Sequence, residues 1–364
     1  MPPEHPRHNP PATIDEVAAA AGVGRATAAR TLGNYGSVSP AVRARVIAAA
    51  EKLRYRPNSL ARSMTTRKTQ TLGVLVADIS NPFFAGVMRG IDDTCHIGGY
   101  AAIVISTDEN LEHERAAIGV LMDKQVDGII IASAATRTDD VSHIQDALDR
   151  DIPVVLLDRK IDAFELDTVV INNREVSRAA VDEFIAEGHR RIAFVWGPTT
   201  RVPADSTDSL LELAGLTIFS EAERLRGYLE AHEAAGIAFD PELVTHGPRT
   251  EVGTALAVGR MLELPAPPTA LIATETDALV GALRAIRHKR LAYPRDISLV
   301  GFDDSSWARV IDPPLTMIEQ PMAQLGVTAA EQLLRRIEGN AGAARVHTLQ
   351  ARIIQRDSIA RPPQ

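Results

Sequence analysis

Apolar positions along the chain fall into two textures that change near Thr69. Before it, apolar residues recur at three- and four-residue spacing in short runs cut by glycine. Thr13-Ile14-Asp15-Glu16 fits a capping box, in which the threonine hydroxyl accepts from an early helix N–H while Glu16 reaches back. A short helix is predicted there, with Ile14, Val17, Ala18 and Ala21 as its apolar face, and Gly22-Val23-Gly24 ends it. A second helix follows over 25–32. Gly33, Asn34 and Gly36 loosen the next loop, after which Ser39 offers an N-cap and Pro40 the first position of a third helix running to about Arg54. Val42, Val46, Ile47 and Leu53 are expected to face inward. Tyr55-Arg56-Pro57-Asn58 stops that helix, and Asn58 can cap a further short one over 59–64.

Beyond Thr69, short continuous apolar runs alternate with amphipathic stretches. Strands are predicted at 71–77, 101–106, 128–132, 154–157, 168–171, 191–196, 270–273, 298–302 and 316–319. Helices are predicted at 84–97, 111–124, 174–187, 221–235, 252–262, 278–288 and 324–338. Apolar strands separated by helices indicate parallel sheet covered on both faces. These units are too many for one ordinary open sheet. The expected fold class is therefore α/β: a small all-α head joined to a body of two doubly wound parallel-sheet lobes. Ligands of such folds sit beyond the carboxyl ends of the strands, here in the cleft between lobes.

Composition adds three points. The 364 residues are 45% hydrophobic and 24% charged, which suits a globular chain. The one cysteine, Cys95, excludes an intrachain disulfide framework and a four-cysteine zinc site, and it lies with His96 inside a helical pattern, packed rather than catalytic. A net charge of -8 argues, on its own, against a nucleic-acid partner. That average hides an asymmetry, because residues 1–70 carry eleven Lys/Arg against four acids while the remainder carries 28 basic and 43 acidic side chains. A small basic head on an acidic body is the pattern of a polyanion-binding module joined to something that binds other partners. The opening MPPEHPRHNPP reads as a disordered lead rather than a signal peptide, and no run approaches the roughly 18 apolar residues of a membrane span. A cytoplasmic protein without membrane contact is expected.

The helix, glycine turn and helix over 13–32 have the spacing of a helix-turn-helix, whose second helix enters the DNA major groove. Arg25 and Arg30 lie on that second helix, where each could make a bidentate contact to guanine worth about 1–3 kcal/mol of base discrimination. The run ATIDEVAAAAGVGRATAARTLGNYGSVSPAVRARVIAAAEKLRYRPNSLARSM, followed by TLGVLVADISNPFF, closely resembles the lactose/galactose-repressor (LacI/GalR) family of bacterial transcription regulators. The likeness continues in MDKQVDGIII, IPVVLLDR, EGHRRIAFVWGP, YPRDISLVGFDD, PPLTMIEQP and IIQRDS.

The resemblance implies a transcriptional regulator, a repressor, that binds a pseudo-palindromic double-stranded DNA operator as a homodimer or a dimer of dimers. It implies no catalytic residue, cofactor or metal. The chain would divide into a lead (1–11), a helix-turn-helix domain (12–58), a hinge helix and linker (59–69) and an effector-binding and dimerisation body (70–364). Lobe 1 would take 70–171 and 321–348, lobe 2 172–320 and 349–364. The family's base-reading positions fall on Arg25, Ala26 and Arg30, and its phosphate-holding positions on Thr13, Thr27 and Asn34, with Arg62 adding phosphate attraction. Met64 stands where relatives place a leucine wedge, and methionine can still part a base step. Ala28 and Ala29 replace residues that are commonly Ser or Val, which puts one polar DNA contact in doubt.

In the body, the resemblance implies an effector site for a sugar or related polar metabolite. Asn81, Phe83 and Phe84 match the NPFF turn lining the cleft, and Asp303 matches the acid that accepts from ligand hydroxyls or amines. Arg201 matches an arginine reaching in from the second lobe, and Arg159, Asn172 and Trp307 fall near the cleft. Three departures leave the effector's identity open. The run RVPADSTDSLLELAGLTIF lengthens the connection at 201–219, Arg249 replaces a stacking aromatic in a way that would suit an anionic ligand, and Thr274-Glu275-Thr276-Asp277 replaces the usual Asn/Asp-bearing turn. An enzyme is the first competing class, but no G-x-G-x-x-G follows a strand, and no G-x-x-x-x-G-K-[ST], G-x-S-x-G or H-E-x-x-H is present. A transport-type solute-binding protein would need an export signal and leaves the basic head unexplained.

Overall fold

A computed structural model describes residues 12–33, 36–55, 68–195, 206–214, 217–245 and 250–363. Two units, Met1–Thr69 and Gln70–Gln364, make up the chain. The first holds α1 (Ile14–Ala21), α2 (Arg25–Leu32) and α3 (Pro40–Lys52). The capping box forms as expected: Glu16 N donates to Thr13 Oγ1 at 3.4 Å and Thr13 N to Glu16 Oε2 at 2.7 Å. Gly22 then takes the left-handed conformation that ends α1, φ +63°, where a side chain would be strained. Val17, Ala18, Ala21, Ala28, Val46, Ala49 and Ala50 form a small core. Two expectations fail here. The Ser39 side chain makes no capping bond, and Ile47 is 43% exposed because it follows buried Val46 by one residue and so turns about 100° away. The short helix expected at 59–64 lies outside the described residues.

The second unit contains two sheets. Its first part runs β1 (Thr71–Val76), α4 (Pro82–Gly98), β2 (Ala101–Ser106), α5 (Leu111–Asp123), β3 (Gly128–Ile131), α6 (Ser142–Leu148), β4 (Val154–Leu157) and β5 (Thr168–Ile171). Then follow α7 (Asn173–Ala186), β6 (Ile192–Val195), α8 (Thr207–Ala214), α9 (Phe219–Ala234), α10 (Glu251–Met261), β7 (Ala270–Ala273), α11 (Thr276–His288), β8 (Ser298–Phe302) and β9 (Thr316–Glu319). The chain closes with α12 (Met322–Ile337), β10 (Val346–Leu349) and β11 (Arg352–Ile354). The first sheet has the order β10-β5-β4-β3-β1-β2 and is parallel throughout; the second has the order β11-β9-β8-β7-β6 and is parallel except for β11. Each sheet is covered on both faces. One core passes beneath α4 and α12 and continues beneath α7 and α9, a second lies under α10 and α11, and a third under α5 and α6. This is why the inner strands are apolar at every position rather than at alternate ones.

Three passages connect the sheets: β5 to β6 through α7, β9 to β10 through α12, and β10 directly to β11. The last two strands are absent from the expected set. Both are short edge strands with exposed or half-buried side chains, so they lack a continuous apolar run. The stretch 206–214 includes α8, which buries Leu210 completely and so adds a helical turn to the second lobe's core. Gly227 sets the distance between α7 and α9, since a Cβ there would lie 2.1 Å from the Arg174 carbonyl oxygen.

The closing segment is held by His189, which is buried between α7 and β6. Its Nε2 lies 2.7 Å from the Ala360 carbonyl, which it must donate to, and its Nδ1 lies 2.8 Å from Thr269 Oγ1. Burial holds the imidazole's pKa below its ordinary value, against the smaller opposing effect of the Ala360 bond. Burial lowers His232 in the same direction. The unfolded chain therefore binds the proton first, so the stability these groups contribute is full above about pH 6.5 and declines as pH falls below it. His189→Gln should lower the denaturation midpoint at pH 8 and flatten its fall from pH 7 to 5; a variant as pH-sensitive as the native chain would contradict this.

Candidate functional site

Two places gather chemistry-bearing residues, one in each unit. On α2, Arg25, Ala26 and Arg30 are exposed while Ala28 and Thr31 are buried. At 3.6 residues per turn the three exposed positions span an arc of about 140°, opposite the packed face. Arg30 Nε donates to the Ala26 carbonyl at 3.2 Å, and Arg25 makes an exposed ion pair with Asp15 at 3.1 Å. Such an exposed pair contributes little to stability and leaves the arginine available to a phosphate or base. Thr13 is occupied with its capping box, and the Thr27 carbonyl accepts from Thr31 Oγ1 at 2.9 Å. Asn34, Arg62 and Met64 lie outside the described residues.

The second place is at the carboxyl ends of the strands in both sheets. Asp158 directly follows β4 and Asp303 directly follows β8, each in the left-handed backbone region, φ +63° and +68°. Both carboxylates are buried. Gln320 Nε2 donates to Asp303 Oδ1 at 2.7 Å, and Ser220 Oγ to Asp158 Oδ2 at 3.4 Å. Burial pushes Asp303 up to about 6, with Asp158 and Glu275 adding repulsion and Arg224 offsetting part of it. Burial raises Asp158 as well, against the attraction of Arg159 and Arg224. Asp277, at the start of α11, is raised by burial and by the charges of Glu275, Glu251 and Asp78.

Two buried arginines face these acids. Arg224, on α9, donates from Nε to Asn173 Oδ1 at 2.8 Å and from Nη1 to the Thr274 carbonyl at 2.7 Å, with its guanidinium carbon 4.2 Å from the centre of the Phe302 ring. Arg159 donates to Glu109 and to the Ser133 carbonyl, and its Nε lies 3.6 Å from Asp158 Oδ2 without hydrogen-bond geometry. Burial opposes its charge, but the Glu109 and Asp158 carboxylates outweigh this and keep it firmly protonated. Asp158 Oδ1, Arg159 Nε, Asn173 Nδ2 and Gln320 Oε1 are buried with no protein partner. An unmet buried polar atom costs about 1–3 kcal/mol, so four in one cluster suit a place that receives a molecule carrying both donors and acceptors.

Of the residues expected at the cleft, Arg159 and Asp303 belong to this cluster. Phe83 and Phe84 are buried in the core, edge to face at 5.0 Å, and the Asn81 side-chain oxygen is spent capping α4 through Phe83 N at 2.9 Å. Asn172 is occupied at the third passage between the sheets, accepting from Ala351 N at 2.8 Å and donating to Gln350 Oε1 at 2.9 Å; its neighbour Asn173 is the one that meets Arg224. Trp307 packs half-buried against the second lobe's core. Arg201 and Arg249 lie outside the described residues. The sequence reading did not single out Asp158, Arg224, Glu109 or Gln320. One signal was available for Arg224: with Leu225 and Tyr228 it falls on the core-facing side of α9, where a charged residue needs a buried partner.

Among the described residues no His, Cys, Asp and Glu side chains gather as a metal site, and no helix is long and apolar enough to cross a membrane. Burial raises the Cys95 thiol to about 11, so it is a packing group. A family model described as "Bacterial regulatory proteins, lacI family" matches residues 13–58, and "Periplasmic binding proteins and sugar binding domain of LacI family" matches 69–357. The HTH-type transcriptional repressor PurR of Aliivibrio fischeri (strain MJ11) is 30% identical over 96% of this chain and 98% of its own. The transcriptional regulator CelR in complex with cellobiose is 30% identical, with a TM-score of 0.68 over 95% of this chain and 99% of that one. The lac repressor dimer bound to operator and the anti-inducer ONPF is 25% identical, with a TM-score of 0.82 over 96% of this chain and 99% of that one.

Proposed function

Because the chain belongs to the LacI family of bacterial regulatory proteins, we propose that it reads a pseudo-palindromic operator as a homodimer in the cytoplasm and that a sugar or sugar-like polyol in the cleft sets its DNA affinity. It is a DNA-binding transcriptional regulator, not an enzyme. The observation that carries the sensing half is the buried cluster of Asp158, Arg159, Arg224, Asp303 and Gln320 with its unpartnered atoms. A hydroxyl group donates and accepts at once, so a polyol can donate to the two carboxylates while accepting from the two guanidinium groups. The cellobiose complex of CelR supports this ligand class. The cluster joins residues from both sheets, so a ligand bound there would bias how the lobes are placed. It could shift DNA affinity only by its differential affinity for the two placements.

Titrating the full-length protein with D-ribose, D-glucose and cellobiose in a thermal-unfolding assay tests the reading. A ligand at a hundred times its Kd adds about 2.7 kcal/mol, which raises the midpoint by several degrees. No rise with any of the three would count against a sugar effector of these kinds.

For the operator, Arg25, Ala26 and Arg30 would face base edges, with Thr13 and Thr27 and, outside the described residues, Asn34 and Arg62 near phosphates. A methionine wedge at Met64 would enter the minor groove. Val252 and Leu256, one turn apart on α10 and 59% and 61% exposed, suit a surface that a second copy covers. Arg30→Ala should cost about 1–3 kcal/mol on the preferred operator and relax preference at one base pair, while weak binding to unrelated DNA changes little. Binding isotherms on the operator and on single-base variants would check it. Equal losses on every sequence would reassign Arg30 to phosphate contact.

A further inference from the structure

We propose that Glu109 is a positioning residue of the cleft, fixing the plane of the Arg159 guanidinium so that its remaining donor edge and the Asp158 carboxylate are presented together to the bound molecule. This rests on the cleft being the effector site. Glu109 sits in the turn between β2 and α5, where Asp108 and Glu109 both adopt the left-handed backbone region, φ +53° and +54°. Two successive residues with side chains in that region persist only where their surroundings fix them. Here both ends of the turn are tied. Thr107 N donates to the Val76 carbonyl at 2.9 Å, and Asn110 caps α5 by accepting from Glu112 N at 2.8 Å and His113 N at 3.1 Å. The turn brings the Glu109 carboxylate onto Arg159, with Nη1 to Oε2 at 2.7 Å and Nη2 to Oε1 at 2.5 Å.

That two-point contact fixes a plane, which a single bond would not. The second Nη1 bond, to the Ser133 carbonyl at 2.8 Å, holds the same plane from the end of β3. Ser133 is itself fixed by Glu114, which accepts from Ser133 Oγ at 2.7 Å and Ala134 N at 2.6 Å and meets His143 Nε2 at 2.7 Å. Arg159 Nε is left without a partner, beside Asp158, whose Oδ1 has none either. The second lobe's arginine is held differently, by the Asn173 amide and a backbone carbonyl, so Glu109 has no counterpart there among the described residues.

The test uses full-length protein and three forms: native, Glu109→Gln and Arg159→Lys. Nitrogen-edited NMR of the guanidinium groups, with Arg159 identified by its loss in Arg159→Lys, should show separate, slowly exchanging Nη signals in the native chain. In Glu109→Gln, which keeps the side-chain shape but offers one acceptor oxygen instead of two, those signals should merge or broaden while the far-UV circular dichroism stays that of the folded native chain. Calorimetric titration with D-ribose and cellobiose should show at least a tenfold weaker Kd in Glu109→Gln for whichever sugar the native chain binds. Unchanged Arg159 signals, or a Kd within twofold of native, would overturn the proposal. If neither sugar binds the native chain, the cleft is not a site for sugars of these two kinds, and the guanidinium spectrum still decides for or against Glu109.

Discussion

Asp303→Asn is expected to unfold at a higher temperature than the native chain at pH 7.5 and to lose its response to the effector. Asp303 is buried, and burial pushes its carboxyl group up to about 6 in the folded chain, well above the ordinary aspartate value. A folded-state pKa above the unfolded one means that the charged acid costs stability once pH exceeds both values, here on the order of 3 kcal/mol. The amide removes this cost and can still present an oxygen to Gln320 Nε2. The gain should be full above about pH 6, shrink as pH falls from 6 to 4 and vanish below about pH 4, where the native acid becomes protonated in both states. Urea midpoints at pH 4, 6 and 8 would test this directly. A variant no more stable than the native chain at pH 8 would show that Asp303 is not held against an electrostatic cost. The same carboxylate would accept ligand hydroxyls, so native effector affinity should weaken as pH drops below 6. A chain keeping an acid where an amide would be more stable is the expected trade at a binding site.

Arg224→Leu should have the opposite and larger effect on stability. Its guanidinium is the cation shared by Asp158 and Asp303, and it also satisfies Asn173 and the Thr274 carbonyl. Removing one partner of a buried charge cluster costs about 3–5 kcal/mol, because, among the described residues, Asp303 then stays buried with only the neutral Gln320 amide beside it and Asp158 keeps Arg159 as its one nearby cation. Without Arg224 both acids would titrate still higher, so the loss should be greater at pH 8 than at pH 5. Asp303→Asn added to Arg224→Leu should recover part of it, and the double-mutant cycle measures how much. A loss of the same size at both pH values would mean that Arg224 acts through packing alone.

Periodicity read the inner architecture well because its signal is burial. Strands such as 154–157 and 270–273 are apolar at every position since helices cover both faces, and their limits agree with the structure. The edge strands Val346–Leu349 and Arg352–Ile354 carry no such pattern, since half their surface meets solvent. The helix Ser142–Leu148 is only seven residues long, too short to develop a clear repeat. At the cleft, motif matching reached Asp303 and Arg159, which stand in strand-terminal turns with fixed spacing. It did not reach Arg224 or Glu109, whose partners are distant along the chain: Thr274 lies 50 residues from Arg224, and Arg159 lies 50 residues from Glu109. Asn172 and Asn173 illustrate the limit of resolution. A one-residue step on a helix start turns one side chain toward the strand passage and the other toward the buried arginine.

Charge took a similar course. The whole-chain value of -8 conceals a head whose basic residues outnumber its acids by seven, and the head is the part that the lacI-family regulatory model matches. The most direct measurement of the central claim is selection of genomic DNA fragments by the full-length protein, followed by footprinting and titration of the winning fragment at several salt concentrations, alongside a chain lacking residues 1–69. The account predicts enrichment of one pseudo-palindromic sequence, protection of two half-sites about one helical turn apart, affinity that falls steeply as salt rises, and no binding by the shortened chain. Binding without sequence preference at every salt concentration, or undiminished binding by the chain lacking its head, would contradict it.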